Sequence, residues 1–114
     1  AEPLDGPARR EEGLLTLDPA GQRAYWQGRD LGLKPKEYQL LDFLQRSRGR
    51  YAAAEELHAA VWGGAENRNI RTVTVHISGL RKKLRMVSSG QAGVDCSRTL
   101  GYRLELPGGE RPEA

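Results

Sequence analysis

Between Ile70 and Val87 the apolar residues Ile70, Val73, Ile77, Leu80, Leu84 and Val87 recur at intervals of three and four. That spacing is one stripe of an α-helix, and it excludes a half-buried strand, whose inward positions alternate in twos. The remaining faces carry Arg71, Arg81, Lys82, Lys83 and Arg85, and no acid occurs from Asn67 to Val94. Such a helix buries one side in a core and leaves a cationic side for an anion. The major groove of a DNA duplex is a polyanionic surface wide enough to admit it.

The charge distribution supports this reading. Residues 1–66 carry nine Lys/Arg against eleven Asp/Glu, residues 67–94 six against none, and residues 95–114 three against four. The net charge of +3 therefore arises from one short stretch, as expected of a nucleic-acid face. On charge alone, a solvated basic helix would satisfy the same pattern. A chain of 114 residues makes one domain with its own core. Cys96 is the only cysteine, so no internal disulfide forms, in keeping with a reducing cytosol. There is no apolar run of membrane-spanning length and no signal peptide pattern. His58, His76 and Cys96 lack metal-ligand spacing, and no cofactor motif is legible. Residues 1–12 are polar and aperiodic and read as a linker, residues 13–107 as the domain, and residues 108–114 as a tail. The first residue is not Met, and the chain is read as either a processed product or a piece of a longer one.

Local patterns predict an α+β fold in the order βββ-ααα-ββ. Leu14–Leu17, Arg23–Gln27 and Leu31–Leu33 read as an antiparallel meander separated by turn residues. Pro35 suits the first position of a helix over 35–47, with Tyr38, Leu40, Leu41 and Leu44 inward and Gly49 as the stop. Tyr51-Ala52 reads as a brief strand. A short helix spans 53–61 and is broken at Trp62-Gly63, and the basic helix runs over 70–86. Ser88 to Gly93 reads as a flexible loop, followed by a hairpin of 94–98 and 102–106.

A helix–turn–helix followed by a β-hairpin is a winged helix, and the wording of this chain resembles one family of them. The matching strings are Pro35-Lys36-Glu37-Tyr38-Gln39-Leu40-Leu41, Glu55-Glu56-Leu57, Val61-Trp62-Gly63, Arg71-Thr72-Val73-Thr74-Val75-His76-Ile77, Leu80-Arg81-Lys82-Lys83-Leu84 and Gly101-Tyr102-Arg103-Leu104. They resemble the effector domain of the OmpR/PhoB class of bacterial two-component response regulators, over roughly residues 14–106. The resemblance implies phosphate contacts from Trp62, Arg71, Thr72, His76, Lys83 and Tyr102. It implies a major-groove face of Thr74, Val75, Ser78, Gly79, Arg81 and Lys82, and a minor-groove contact from Arg98 in the wing. It further implies a head-to-tail dimer on direct repeats and an RNA polymerase contact through Gly63, Gly64, Ala65, Glu66, Asn67 and Arg68. The place of action would be the cytoplasm, at the nucleoid. The receiver domain of such regulators is absent from this chain.

Several roles follow from the helical wheel alone. Arg71, Val75, Ser78, Gly79 and Lys82 lie opposite the apolar stripe, with Arg81 and Arg85 flanking it. Val75 on this polar face is either a stray surface residue or a reader of thymine methyl groups. His76, at the border of the stripe, is either a structural histidine or a phosphate donor. Trp62 can pack its ring and still direct its N–H outward.

The sequence also departs from the family pattern. Ser78 and Gly79 stand where the family often has Arg. This predicts fewer direct base contacts, with Arg81 the best candidate for a guanine, and greater reliance on DNA shape and phosphates. Gly79 in a helix interior implies close backbone approach or relaxed base readout, and an Arg there is expected to raise affinity. Thr99 replaces a wing glycine, which predicts a different turn. Lys34 and Ala53 stand where helix-capping hydroxyls are usual, which predicts lower stability.

Three functions compete. A transcription regulator that binds double-stranded DNA leads. A winged-helix protein-interaction module that has lost base readout is the alternative. An enzyme finds no support, since no carboxylate pair, nucleophile–base arrangement or phosphate loop is legible.

Overall fold

A computed structural model describes residues 10–12, 14–47, 50–63 and 70–107. The chain opens with a four-stranded antiparallel meander in the order β1 (Arg10–Glu12), β2 (Leu15–Asp18), β3 (Arg23–Trp26) and β4 (Arg29–Asp30). The alternation of β2 and β3 sends Leu15, Leu17, Ala24 and Trp26 to one buried face. Trp26 and Arg29 pair across Gln27 and Gly28, both at positive φ (51° and 82°), which is the two-residue turn that suits the twist of a hairpin.

Two sequence expectations are corrected here. The sheet begins within the supposed linker, because Arg10–Glu12 pair with Leu15–Leu17. The last strand is Arg29–Asp30 and not Leu31–Leu33. The Asp30 Oδ1 accepts the Gly32 N–H at 2.8 Å, and this local turn ends the pairing.

Three helical segments cover the sheet: α1 (Pro35–Arg46), α2 (Ala54–His58) continued by a π-helical turn (Ala59–Gly63), and α3 (Arg71–Val87). Tyr38, Leu40, Leu41 and Leu44 of α1 meet Val73, Ile77, Leu80 and Leu84 of α3 in the core, with Leu57 and Val61 closing it. Neither Lys34 nor Ala53 can accept a hydrogen bond through its side chain. Each helix instead keeps the returning half of a capping box: Glu37 Oε1 accepts the Lys34 N–H at 2.9 Å, and Glu56 Oε1 accepts the Ala53 N–H at 3.3 Å. The missing caps are thus partly offset. The second helix does not break before Trp62, since the π turn carries the indole round and ends at Gly63 with φ +74°.

Ser88 to Gly93, expected to be a flexible loop, is a built helix stop. Gly90 N–H donates to Arg85 O at 2.8 Å and Ser89 N–H to Met86 O at 3.4 Å, with Ser89 in the left-handed region at φ 57°. The buried Ser88 hydroxyl accepts the Ala92 N–H at 2.9 Å. The hairpin β5 (Gly93–Ser97) and β6 (Gly101–Glu105) follows. Tyr51-Ala52 contributes one bridge to it: Ala52 and Tyr102 exchange both backbone hydrogen bonds, at 2.8 and 2.9 Å. The junction requires glycine at 101, where an added Cβ would lie 2.1 Å from Ala52 O.

Candidate nucleic-acid interface

The outward face of α3 is a strip of exposed side chains: Arg71, Thr74, Val75, Ser78 and Lys82. Val75 is 63% exposed, so its methyl groups face outward among polar neighbours and not into the core. Farther along, Arg85 and Met86 are also exposed, Met86 to 69%.

One flank of α3 meets α1 and α2 at Trp62. The His58 ring stacks on the indole at 5.5 Å and 18°, and the His76 ring meets it at 5.2 Å and 67°. Lys36 Nζ lies 5.6 Å from the Trp62 ring centroid and donates to Val61 O at 3.2 Å. Among the described residues the Trp62 indole N–H has no acceptor. His76 Nδ1 donates to Thr72 O at 2.8 Å. The ring is therefore oriented and anchored like that of a structural histidine, with no hydrogen bond to its other nitrogen among the described residues.

The same flank holds two residues expected to contact DNA, and both meet partners inside the fold. Lys83, assigned to phosphate, is engaged internally: Nζ donates to Glu37 Oε1 at 2.7 Å and to Gly32 O at 3.1 Å. Its charge is answered by a carboxylate that is only 6% exposed. Gly79, assigned to base reading, packs against that carboxylate, and a Cβ there would lie 2.5 Å from Glu37 Oε2. The close approach expected of Gly79 exists, but towards α1 and not towards a ligand.

The other flank faces the wing. Thr74 Oγ1 and the Tyr102 hydroxyl lie 3.5 Å apart. Arg81 is partly buried and lines a polar cleft with Arg85 against Gly93, Val94, Asp95 and Glu105, beside the groove strip and not at its centre. Arg98 and Leu100 are exposed at the wing tip, where Ser97 and Gly101 pair. Ser97 Oγ accepts the Thr99 and Leu100 N–H groups at 3.3 and 3.0 Å. The turn does differ from the glycine-rich pattern: Thr99 keeps a negative φ, and Gly101 takes the positive one at 112°. The wing is braced at its base by Arg103, which bonds Asp95 at 3.3 Å and lies 4.6 Å over the Tyr51 ring, while the Tyr51 hydroxyl bonds Asp95.

Residues 28–104 match the family described as transcriptional regulatory protein, C terminal. The chain belongs to this family, the OmpR/PhoB type of DNA-binding effector domain. It is 38% identical over 95 residues to the alkaline phosphatase synthesis transcriptional regulatory protein PhoP of Bacillus subtilis, covering 83% of this chain and 40% of that protein. It is 39% identical over 102 residues to the phosphate regulon transcriptional regulatory protein PhoB of Pseudomonas aeruginosa, covering 90% of this chain and 44% of that protein. The chain thus spans about two fifths of the length of these relatives. Among solved structures it is similar to the DNA-binding domain of the response regulator AdeR in complex with an intercistronic region. The TM-score is 0.74 at 26% identity, over 86% of this chain and all of that one.

Within this OmpR/PhoB-type domain, Trp62, Thr72 and His76 lie together on one flank of the exposed strip, and Thr74 and Tyr102 meet on the other. Gly63 is exposed at the end of the π turn, whereas Gly64, Ala65, Glu66, Asn67 and Arg68 lie outside the described residues. Sequence reasoning missed Lys36, Glu37 and His58. The signal for Glu37 was present: an acid at the third helical position, where Lys34 cannot cap, is the residue that must turn back to the backbone.

Proposed function

We propose that this domain reads double-stranded DNA as the output half of a two-component response regulator that controls transcription. The observation that carries the proposal is the exposed strip Arg71, Thr74, Val75, Ser78 and Lys82 on α3, bounded by polar donors on both sides. In the proposed complex α3 enters the major groove. Arg71, Thr72, the Trp62 indole, His76 and Tyr102 hold the flanking phosphates, and Arg98 reaches the adjacent minor groove. Lys83 and Gly79 take no part in direct contact. Arg81, at the wing-side edge, is the guanidinium assigned to a guanine, with Lys82 the other long donor on this face. Readout is then spread over Thr74, Val75, Ser78, Arg81 and Lys82 and over DNA shape.

The full regulator would add a receiver domain. The domain would bind direct repeats as a head-to-tail dimer and meet RNA polymerase through residues 63–68, acting in the cytoplasm at the nucleoid. Among the described residues no helix is long and apolar enough to cross a membrane. The second reading, a protein-interaction module, is favoured by one observation: Val75 and Met86 are both exposed apolar residues on α3.

Salt dependence separates the two. About five neutralised phosphates give a slope near −4.5 in log K against log salt for duplex DNA. Binding with that slope, reduced by about one in Arg71→Ala, supports the DNA reading. Absence of duplex binding at low salt, with retained folding, leaves the protein-interaction module.

A further inference from the structure

The Thr72 carbonyl oxygen, 2.8 Å from His76 Nδ1, can only accept a hydrogen bond, so Nδ1 carries the hydrogen. In the neutral ring Nε2 is then a bare lone pair, which a phosphate oxygen repels. Only the imidazolium, with hydrogen on both nitrogens, can bond Thr72 O and a phosphate at once. His76 lies beside Trp62, whose indole N–H is uncommitted, on the flank to which the proposed function assigns a phosphate.

Among the described residues, the titratable and charged groups of the packed elements are Lys36, Glu37, Tyr38, Asp42 and Arg46 on α1, Glu55, Glu56 and His58 on α2, and Arg71, Arg81, Lys82, Lys83 and Arg85 on α3 beside His76 itself. Glu37 is committed to Lys83. Lys36 lies over the indole, and His58 covers the ring at 5.5 Å. Asp42 pairs with Arg46 and Glu56 with Arg50, and among the described residues no acid makes a hydrogen bond or ion pair with His76, so a DNA phosphate would be its counter-ion.

We propose that this domain takes up one proton when it binds DNA. His76 holds that proton as an imidazolium between the Thr72 carbonyl, the Trp62 ring and a backbone phosphate, so that pH sets the affinity. The proton comes from solvent and returns to it on release. The inference rests on the DNA reading of the same face.

The test is fluorescence anisotropy of the whole chain with a labelled mixed-sequence duplex of about three helical turns. Ionic strength is fixed and pH varied from ~8 to ~5.5, across the range in which histidine changes charge. Uptake of one proton tightens binding by up to about tenfold per unit fall in pH at the upper end of that range. His76→Gln places a permanently hydrogen-bearing amide nitrogen near the Nε2 position, and its affinity is expected to be flat with pH. His58→Gln keeps the dependence, and circular dichroism verifies that both variants fold.

Nitrogen NMR of the wild-type complex near neutral pH is the second measurement, and both His76 nitrogens should carry hydrogen. A flat wild-type profile, a dependence that survives in His76→Gln, or a bound His76 with a bare Nε2 overturns proton uptake and leaves DNA binding intact. Failure of the wild type to bind at any pH removes the DNA reading, and this inference with it.

Discussion

Adding one methyl group at Gly79 tests how α1 is locked to α3. In an ordinary helix interior, Gly→Ala stabilises by about 1 kcal/mol through the backbone entropy that glycine loses on folding. Here the new Cβ would sit 2.5 Å from Glu37 Oε2, so the carboxylate must move. The other oxygen of that carboxylate holds the Lys34 N–H at 2.9 Å and Lys83 Nζ at 2.7 Å. The first bond does the work of a helix cap, worth about 0.5–2 kcal/mol. The second is a charge-assisted bond, worth about 1.5–3 kcal/mol. Losing both outweighs the backbone gain, so Gly79→Ala is expected to destabilise by about 1–4 kcal/mol. On a domain of this size that lowers Tm by ~4–8 °C for each kcal/mol. In a Glu37→Ala background nothing blocks the methyl group, and Gly79→Ala should stabilise by about 1 kcal/mol. Thermal and urea unfolding followed by circular dichroism read all four corners of this cycle. Equal stabilisation in both backgrounds would refute the reasoning, because it would mean that Glu37 yields without cost. By freeing Lys83, Gly79→Ala should also steepen the salt slope of DNA binding by about 0.9.

Three further outcomes follow from particular contacts. Trp62→Phe keeps the stacking surface for His58 and His76 but removes the uncommitted N–H. It should weaken duplex binding by about tenfold or more at nearly unchanged Tm, and unaltered affinity would contradict the phosphate role. Ser89→Gly relieves a left-handed serine at φ 57° in the α3 stop and should raise stability by about 1 kcal/mol without altering affinity, as urea unfolding and anisotropy will show. The bond to Asp95 holds the Tyr51 phenol above the ordinary tyrosine value of 10.0, so the unfolded chain releases that proton first. Its contribution to stability is complete below about pH 10 and is lost as pH rises through the folded value; tyrosinate absorbance in wild type against Tyr51→Phe measures it, and ionisation of Tyr51 at or below its ordinary value would contradict the contact.

The three helices and the wing were legible because each has a strong period or a clear stop: the three–four stripe of α3, Pro35 at the start of α1, and Gly101 in the hairpin. Strand β1 was not, because Arg10-Glu11-Glu12 carries no apolar alternation and is ordered by pairing with β2. The supposed strand Leu31-Gly32-Leu33 failed because the Asp30 carboxylate captures the Gly32 N–H, a bond that the alternation of leucines does not reveal. On the site, a helical wheel gives the direction of each side chain but not what stands opposite. It therefore marked Val75, Ser78 and Lys82 correctly as outward. It placed Gly79 outward too, where the first turn of α1 brings Glu37 against it. Lys83, on the same flank, is captured by that carboxylate. The π turn that presents Trp62 to both histidines has no period of its own, so the cluster of His58, Trp62 and His76 emerges only in three dimensions.

Selection of this chain on a randomised duplex library, at two salt concentrations, tests the central claim most directly. The account predicts enrichment of a short motif, arranged as a direct repeat where two domains bind, with the preference at one base pair relaxed in Arg81→Ala. Salt-sensitive retention of duplexes without any enriched motif would contradict base reading by α3 and leave only phosphate contact. No retention at low salt would contradict DNA binding altogether.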